Sequence, residues 1–359
     1  MNPGIQVHCY TGIEGLNELA PAWQRLFQSC HNPSFYNDWR WHQAVQMHLT
    51  PCKIRYFAVY EGEQLIGIVP LHRYVNRRFG LPIVYLSFPR HQVIDLADVV
   101  LHRDKQHIDL FDAVLRHISQ ERLFRWDVLD LSLFLTRSST YALIGKSALT
   151  AHRSAFVERS TDGSLVTPLS KKQVKNTRRH LNKAEAQYGE VTFTRTQSAQ
   201  DIGAAYDIFL DVEASSWKGA DGTGTAIGLQ PRAKAFFQAV VEQFSTTGEA
   251  QINLLYVDGK PSAAQLALRM QDRLALLKIG YDEALKDIGP GGIALLSCLE
   301  HESDTTRELS LVTDPPWAQR WHFQTEQTWL YNHFNKTFYC RALQIARPIY
   351  LMVKRLLRR

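Results

Sequence analysis

The sequence predicts a mixed α/β protein of two domains, each a mixed sheet flanked by helices. Three observations lead to this prediction. The chain has 359 residues, more than one hydrophobic core usually serves. Hydrophobic residues make up 45% and charged residues 21% of the chain, as in globular proteins. Along the chain, short apolar runs typical of strands alternate with runs of helical periodicity.

The first domain is predicted to span residues 1–150. Ser34 or Asn37 is the expected cap of a helix that begins this pattern. The Glu61-Gly62-Glu63 stretch is a hairpin signal between two β-rich runs. The expected elements are a helix over 33–49, the hairpin over 54–74, a strand over 81–88, a helix over 105–121 and a strand over 125–134. The Ser/Thr-rich stretch 136–167 is the predicted junction.

The second domain is predicted to span residues 151–340. It opens with a helix over 169–189, capped by Ser170 and stopped by Gly189. Asp258-Gly259 and Gln271-Asp272 are the expected turns of three successive strands. The remaining elements are a strand over 190–196, helices over 199–215 and 231–245, the strands within 250–283, a helix over 292–303 and a strand over 307–313.

The loop "DIGPGG", residues 287–292, lies between the last of these three strands and the following helix. A strand–helix–strand passage of this length usually forms a parallel pair. The backbone N–H groups at a helix start have no partner in the helix, and the helix dipole favours negative charge there. The loop is therefore either a phosphate-binding site or a plain turn.

The run "LLYVDGKPSAAQLALRMQDRLALLKIGYDEALKDIGPGGIALLSCLE" resembles the core of the GNAT acyltransferase superfamily. "LSKKQVKNTRRHLNKAEAQYGEVTF", "EASSWKG" and "DPPWAQRW" support the resemblance in the expected order, and "PSFYNDWRW" and "FAVYEGEQLIGIVPLHR" extend it to the first half. The sequence is most similar to the cellulose-biosynthesis-type (CelD/BcsL) branch, and distantly similar to the Fem aminoacyl transferases. The resemblance implies tandem GNAT-like domains, the first one degenerate and the second one carrying the donor site.

In GNAT enzymes, backbone N–H groups of this loop hold the coenzyme A pyrophosphate, and the preceding strand meets the thioester. The signature Gln/Arg-x-x-Gly-x-Gly/Ala is half matched, with lysine in the first place. The resemblance thus implies an acyl-CoA donor, acetyl-CoA first among them. The implied donor-binding residues are Ile279, Gly280, Lys286, Gly289, Gly291, Gly292 and Ile293.

Acyl transfer also needs a base, oxyanion stabilisation and an acceptor site. Asp314, Glu213 and Lys278 are the predicted catalytic residues, and Asp314 is the preferred base because Trp317 and Trp321 follow it. Each carboxylate has a plain alternative role as a cap or a solvated group, and each aromatic side chain has one as a core residue. Lys278 has the alternative role of a strand-end lysine whose ammonium reaches solvent. The predicted acceptor-binding residues are Trp217, Lys218, Asp282, Trp317 and Trp321.

The predicted function is transfer of an acetyl or longer acyl group to an amine or hydroxyl of a small molecule, a glycan or a lipid-linked acceptor of the cell envelope. A tRNA-dependent aminoacyl transferase of the Fem type and a non-catalytic assembly protein are the alternatives. The basic helix containing Lys171, Lys175 and Arg179 is the one expected surface for RNA, although a solvated face is its default interpretation.

Residues 341–359 carry the whole formal net charge of +6. They place apolar residues against basic ones in an amphipathic pattern that Pro348 interrupts, which is typical of attachment to an anionic membrane surface. A helix packed on the body of the protein is the alternative. We expect a cytoplasmic protein that is peripheral at the inner face of the membrane, because no signal peptide is visible. The five cysteines show no CxxC, and no histidine pair has metal-ligand spacing, so neither a disulfide framework nor a metal is expected.

Overall fold

The computed structural model describes residues 4–50, 52–78, 81–121, 125–302 and 306–341. The chain divides into two compact units. Unit 1 comprises Met1–Gln46, Thr50–Ala151 and Gln327–Arg359, and unit 2 comprises Met47–Leu49 and His152–Glu326. The division at residue 151 falls within the predicted junction over 136–167. Residues from 327 onward are grouped with unit 1, whereas the predicted second domain runs to residue 340. The predicted tail lies outside the described residues from residue 342 on.

Unit 1 contains the first half of the chain and one strand from its end. Its elements are β1 (Ile5–Thr11), α1 (Gly12–Gln28), α2 (Trp39–Ala44), β2 (Arg55–Glu61), β3 (Gln64–Arg78), β4 (Leu81–Ser87), β5 (Val100–Leu101), α3 (Leu110–Gln120), β6 (Val128–Leu135) and α4 (Ser139–Ile144). After unit 2 follows β13 (Gln324–Phe334), which pairs with β6 over Thr328–Phe334.

The sheet of unit 1 runs in the order β1-β2-β3-β4-β6-β13. The first four strands are antiparallel neighbours, β4 and β6 are parallel, and β13 returns antiparallel. Helix α3 supplies the crossover between β4 and β6. A core of side chains that includes Phe57, Leu110 and Phe134 is fully buried, and burying each such side chain stabilises the unit by roughly 1.5–3 kcal/mol.

Unit 2 contains the remaining elements. These are β7 (Leu149–Glu158), α5 (Lys171–Tyr188), β8 (Val191–Thr196), α6 (Ile202–Ala214), α7 (Pro231–Ser245), β9 (Ala250–Val257), β10 (Lys260–Met270), β11 (Arg273–Tyr281), α8 (Pro290–His301) and β12 (Glu308–Ser310). The strands lie in the order β8-β9-β10-β11-β12-β7.

The sheet of unit 2 repeats the pattern of unit 1. Strands β8 to β11 are antiparallel neighbours, β11 and β12 are parallel through α8, and β7 is antiparallel to β12. The predicted fold class, tandem mixed sheets flanked by helices, is confirmed. The predicted parallel pair after the glycine loop is also confirmed.

Helix α8 is the element that positions the glycine loop. It contacts α5 and also β9, β10 and β11, and Ile293, Leu295, Leu296 and Leu299 along it are buried. A helix that is apolar on most sides is a core helix. Its start is therefore held in place by packing from both sides.

Most predicted elements of unit 2 are confirmed, including the Ser170 cap, whose hydroxyl accepts from the Gln173 N–H at 3.4 Å. The helix predicted over 33–49 is wrong as one element. Asn37 Oδ1 accepts from the Ser34 N–H at 2.9 Å, and Asp38 Oδ1 accepts from the Arg40 N–H at 2.8 Å. These side chains compete for backbone donors and divide the segment into a 3-10 turn and the short α2.

Six elements had no counterpart in the prediction: β1, α1, β5, α4, β7 and β13. Helix α1 contains Gly15 and Pro21, which weaken its helical pattern. The burial of β1 and β7 is mixed or mostly exposed rather than strictly alternating. Strands without strict alternation of buried and exposed residues give little periodic signal.

Candidate active site

Strand β11 loses its parallel partner halfway along its length. It pairs with β12 only through Arg273, Leu274 and Ala275, whereas its pairing with β10 continues to Tyr281. Its register with β10 shifts so that Leu277 has no opposite residue, which is a β-bulge that bends the strand. The second half of β11 therefore has an edge that no described strand covers.

The chain after β12 explains why the strands separate. The Leu311 N–H donates to the Ala155 carbonyl at 2.8 Å, and the Ala155 N–H donates to the Thr313 carbonyl at 3.0 Å. Val312 lies between them at a φ of 63°, a conformation that is strained for a β-branched residue. Residues 311–313 thus follow β7 and turn away from β11.

The loop at the end of β11 is short and well ordered by its own hydrogen bonds. Asp282 Oδ1 accepts from the Ala284 N–H at 2.9 Å and starts a 3-10 turn over Glu283–Ile288. Gly289 follows at a φ of 61°, and a Cβ there would lie 2.7 Å from His180 Nδ1. Only glycine meets both conditions without strain.

The predicted set of converging donors is smaller in the structure. The Gly289 N–H donates to the Lys286 carbonyl at 3.2 Å, and the Gly292 and Ile293 N–H groups donate to the Gly289 carbonyl at 3.0 and 3.3 Å. Pro290 has no N–H. The Gly291 N–H has no backbone acceptor among the described residues, and no side chain caps this helix end. It is the donor best placed for an anion.

Side chains from three elements surround this helix start. A Cβ on Gly291 would lie 3.2 Å from Tyr281 Cδ1, and one on Gly292 would lie 3.7 Å from Thr177 Oγ1 and 3.8 Å from Trp321 Cζ2. Burial raises the pKa of Tyr281, and the nearby Glu283 carboxylate raises it further. The phenol therefore keeps its proton at neutral pH. Sequence reasoning missed Tyr281, Thr177 and His180, because only packing brings them to the loop.

Glu213 and Lys218 meet at the open half of β11. Lys218 Nζ donates to Glu213 Oε1 at 2.8 Å and to the Ile279 carbonyl at 2.7 Å. Glu213 is 1% exposed, and its Oε2 accepts from the Ile227 N–H at 2.8 Å. Both oxygens of Glu213 are engaged, which favours a positioning role over that of a base.

Most other predicted site residues lie around the glycine loop or the Glu213–Lys218 pair. Lys278 Nζ lies 5.7 Å from the centre of the Phe237 ring, and a Cβ on Gly280 would lie 2.8 Å from the Glu213 Cα. Lys286 is exposed at the loop. The Trp217 side chain is 53% exposed, with the Lys218 ammonium 5.9 Å from its ring centre.

The predicted site residues after β12 are two tryptophans that pack against the core and one aspartate. Trp321 is 3% exposed in the core, and Trp317 is partly buried against the same cluster, so packing explains both. Asp314 Oδ1 is buried without a hydrogen-bond partner in the part of the chain that the structure describes. A buried carboxylate oxygen without a donor is costly and is found where a ligand or water completes the site.

Comparison with protein families agrees with this geometry. Residues 171–315 match the family model described as an acetyltransferase (GNAT) domain. This stretch lies entirely within unit 2. The match covers the glycine loop, both parallel strands and the Glu213–Lys218 pair. Comparison with curated proteins finds no significant sequence match.

Solved structures with the same fold extend over both units. FemX is 10% identical, covers 93% of this chain and 98% of its own, and has a TM-score of 0.55. The C-terminal domain (DUF2156) of an Agrobacterium fabrum protein named as a lysylphosphatidylglycerol synthetase is 12% identical, covers 92% and 96%, and has a TM-score of 0.54. L-PGS from Bacillus licheniformis is 12% identical, covers 89% and 97%, and has a TM-score of 0.50. Identities this low establish the fold alone.

The described residues contain neither a cluster of metal ligands nor a membrane-spanning helix. No group of three or more His, Cys, Asp and Glu side chains with the arrangement of a metal site occurs among them. No helix among them is both long and apolar enough to cross a bilayer.

Proposed function

We propose that unit 2 transfers an acyl group from acyl-CoA, acetyl-CoA first, to an amine or hydroxyl acceptor. The observation that carries this proposal is the open second half of β11, followed after residues 282–289 by a helix start that no side chain caps, within a stretch that matches the GNAT model. The helix start at Gly291 offers a donor and a dipole for pyrophosphate. The open strand edge offers backbone groups for the thioester carbonyl.

The chemistry requires one proton acceptor and one proton donor. The amine or hydroxyl that receives the acyl group loses a proton to a base, and its lone pair forms a bond to the thioester carbon. The C–S bond then breaks, and the CoA thiolate takes up a proton. Asp314 remains our preferred base, since its Oδ1 has no partner within the described chain. The protonated Tyr281 phenol at the loop is a suitable acid for the thiolate.

The acceptor is proposed from the exposed surface near the open strand. The half-exposed indole of Trp217 is presented by a loop fixed through the Thr223 N–H to the Trp217 carbonyl at 2.9 Å and the Ala226 N–H to the Lys218 carbonyl at 2.8 Å. A fixed, exposed aromatic side chain suits a ring or an apolar segment. We therefore propose a sugar or a lipid-linked envelope precursor, consistent with the CelD/BcsL resemblance, as the acceptor.

A second donor is supported by one surface feature. Lys171, Lys172, Lys175 and Arg179 are exposed on α5 and share an arc of about 100° on the helix. Arg178 and Lys183 pair with Glu300 at 3.2 Å and Asp287 at 2.8 Å. Such a stripe suits a polyanion. With the FemX and L-PGS fold matches, it makes aminoacyl-tRNA the alternative donor.

Isothermal titration of the full chain with acetyl-CoA tests the proposal. Gly291→Asp places a carboxylate at the helix start and should weaken binding by at least about tenfold, or about 1.4 kcal/mol. Gly291→Asn is the matched neutral control, since it meets Tyr281 equally, and should weaken binding much less. Asp314→Asn should leave acetyl-CoA affinity unchanged and remove transfer.

The same titration separates the alternatives. Equal acetyl-CoA affinity in the wild type and Gly291→Asp would remove the loop from the donor site. Binding of tRNA without binding of acetyl-CoA would replace the donor by aminoacyl-tRNA. Binding of neither would favour the non-catalytic assembly role.

We also propose that residues 341–359 attach the protein to the inner face of a membrane. The support is their sequence, which carries six basic residues and no acid. Flotation with anionic vesicles should recover the full chain and not a chain ending at residue 340. Equal recovery of both chains would contradict the attachment.

A further inference from the structure

The Lys218 ammonium donates a hydrogen bond to a backbone carbonyl on the second half of β11, the part that β12 leaves open. Its 2.7 Å bond to the Ile279 carbonyl lies two residues beyond the Leu277 bulge, where β12 no longer pairs with β11. The Lys218 side chain is 15% exposed and the Glu213 side chain 1% exposed. A charge-assisted bond in such a poorly solvated place is stronger and more directional than one at the surface.

Glu213 fixes the ammonium in turn. Its Oε1 accepts from Lys218, and its Oε2 accepts from the Ile227 N–H. Ile227 directly follows residues 215–226, the Trp217 loop. Gly280 has no side chain, so the α6 backbone at Glu213 can approach β11 closely. The pair thus joins α6, the Trp217 loop and the open strand through three hydrogen bonds of 2.7 to 2.8 Å.

We propose that Lys218, held by Glu213, is a positioning residue that fixes the open half of β11 for the thioester carbonyl. This inference rests on the proposed acyltransferase function of the same site. Residues of an antiparallel strand direct their N–H and C=O to the same side. Fixing the Ile279 carbonyl therefore also fixes the Ile279 N–H.

The role of Lys218 differs from that of the glycine loop. The loop at Gly289–Gly292 would hold the pyrophosphate, which acetyl-CoA and CoA share. The strand held by Lys218 would contact the acyl carbonyl, which only acetyl-CoA has. Loss of the Lys218–Ile279 hydrogen bond should therefore change the preference for acetyl-CoA over CoA and leave CoA binding intact.

Titration of the full chain with acetyl-CoA and with CoA measures this preference. The test variant is Glu213→Gln with Lys218→Met, which removes both charges and leaves no unpaired carboxylate in the core. We expect its acetyl-CoA affinity to fall about tenfold relative to its CoA affinity. Glu213→Gln alone, the variant with the smallest change in packing, should lower the acetyl-CoA affinity relative to the CoA affinity about threefold. Lys218→Arg keeps the positive charge and should retain most of the wild-type preference. Lys234→Met, an exposed lysine of α7, is the control and should change neither affinity.

Hydrogen exchange of residues 276–282 provides a measurement that does not depend on ligand. We expect faster exchange there in both Glu213 variants and unchanged exchange at residues 290–296. If either folded Glu213 variant keeps the wild-type preference, or if both affinities fall together, the inference is overturned. If the wild type binds neither ligand, the proposed function fails. Hydrogen exchange of residues 276–282 then still decides whether Glu213 and Lys218 hold this part of β11 in place.

Discussion

The two units share one strand order, and they differ at the point where the fourth strand meets the fifth. In unit 1 the last three residues of β4, Tyr85 to Ser87, pair with β6. In unit 2 only the first three residues of β11 pair with β12. The same topology therefore leaves a strand edge open in unit 2 and covers it in unit 1.

The helix starts differ in the same direction. Asp109 Oδ1 accepts from the Asp112 N–H at 2.9 Å and caps α3, and Asp112 adds a second acid in its first turn. Helix α8 has a glycine cap and no acid in its first turn. A carboxylate cap satisfies the donors that an anionic ligand would use and repels that ligand.

Unit 1 also fills the space next to its fourth strand with its own side chains. Arg90 pairs with Asp130 at 2.9 Å and donates to Ser132. Residues 88–109 separate β4 from α3, whereas residues 282–289 separate β11 from α8. Under the proposed function, donor binding depends on the connection between strand and helix, since the two units share one strand order. This difference supports our proposal that unit 1 is the degenerate copy.

The largest expected effect concerns Glu302, the buried carboxylate at the end of α8. Glu302 is 2% exposed and pairs with Arg195 at 3.1 Å and with Arg269. Glu302→Gln leaves both arginines without their anion and should lower the free energy of unfolding by about 3 kcal/mol in urea denaturation. Glu300→Gln, at the exposed pair with Arg178, is the control and should change it by less than about 0.5 kcal/mol.

The effect of Glu302→Gln should also depend on pH. Burial alone would raise the pKa of Glu302, but hydrogen bonds from Thr306 and Gln251 and the charge of Arg269 lower it to about 2. Because the folded pKa lies below the ordinary value of 4.5, the contribution is complete above pH 4.5 and is lost as pH falls towards 2. A difference between wild type and variant that stays constant over this range would contradict the assignment.

The next effect concerns the contact that keeps β11 against α6. Gly280→Ala would place a Cβ 2.8 Å from the Glu213 Cα, and backbone there cannot move as a flexible side chain can. We expect a loss of about 2 kcal/mol in unfolding free energy. Gly203→Ala, in the first turn of α6 with no atom within 4 Å of the new Cβ, should instead gain up to about 1 kcal/mol. Equal effects would show that the close contact does not exist.

The smallest effect tests the closed helix start of unit 1. Asp109→Ala removes the cap of α3 and should cost about 1 kcal/mol in the unfolding free energy. It should create no acetyl-CoA binding in a chain that also carries Gly291→Asp, because the β4 edge remains paired. Recovery of binding in that double variant would show that the cap alone distinguishes the two units.

The sequence by itself determined the fold class, most elements of unit 2 and the position of the glycine loop. Local chemistry explains this success: Ser170 and Gly189 bound a helix, and Asp258 and Gly259, both at positive φ, make a hairpin turn in the nearest residues. The weak periodicity of β1, β7 and β13 explains why those strands were missed.

Tertiary structure alone decided which residues meet. Glu213 and Lys218 were predicted as a base and an acceptor contact, but a bond to a carbonyl 61 residues away joins them to β11. Trp321 was predicted at an acceptor wall and lies in the core, and His180 reaches the loop from another helix. Sequence patterns report the periodicity of one element, whereas a site depends on which faces of several elements pack together. The separation of β11 from β12 is set by hydrogen bonds to Ala155, which no local pattern encodes.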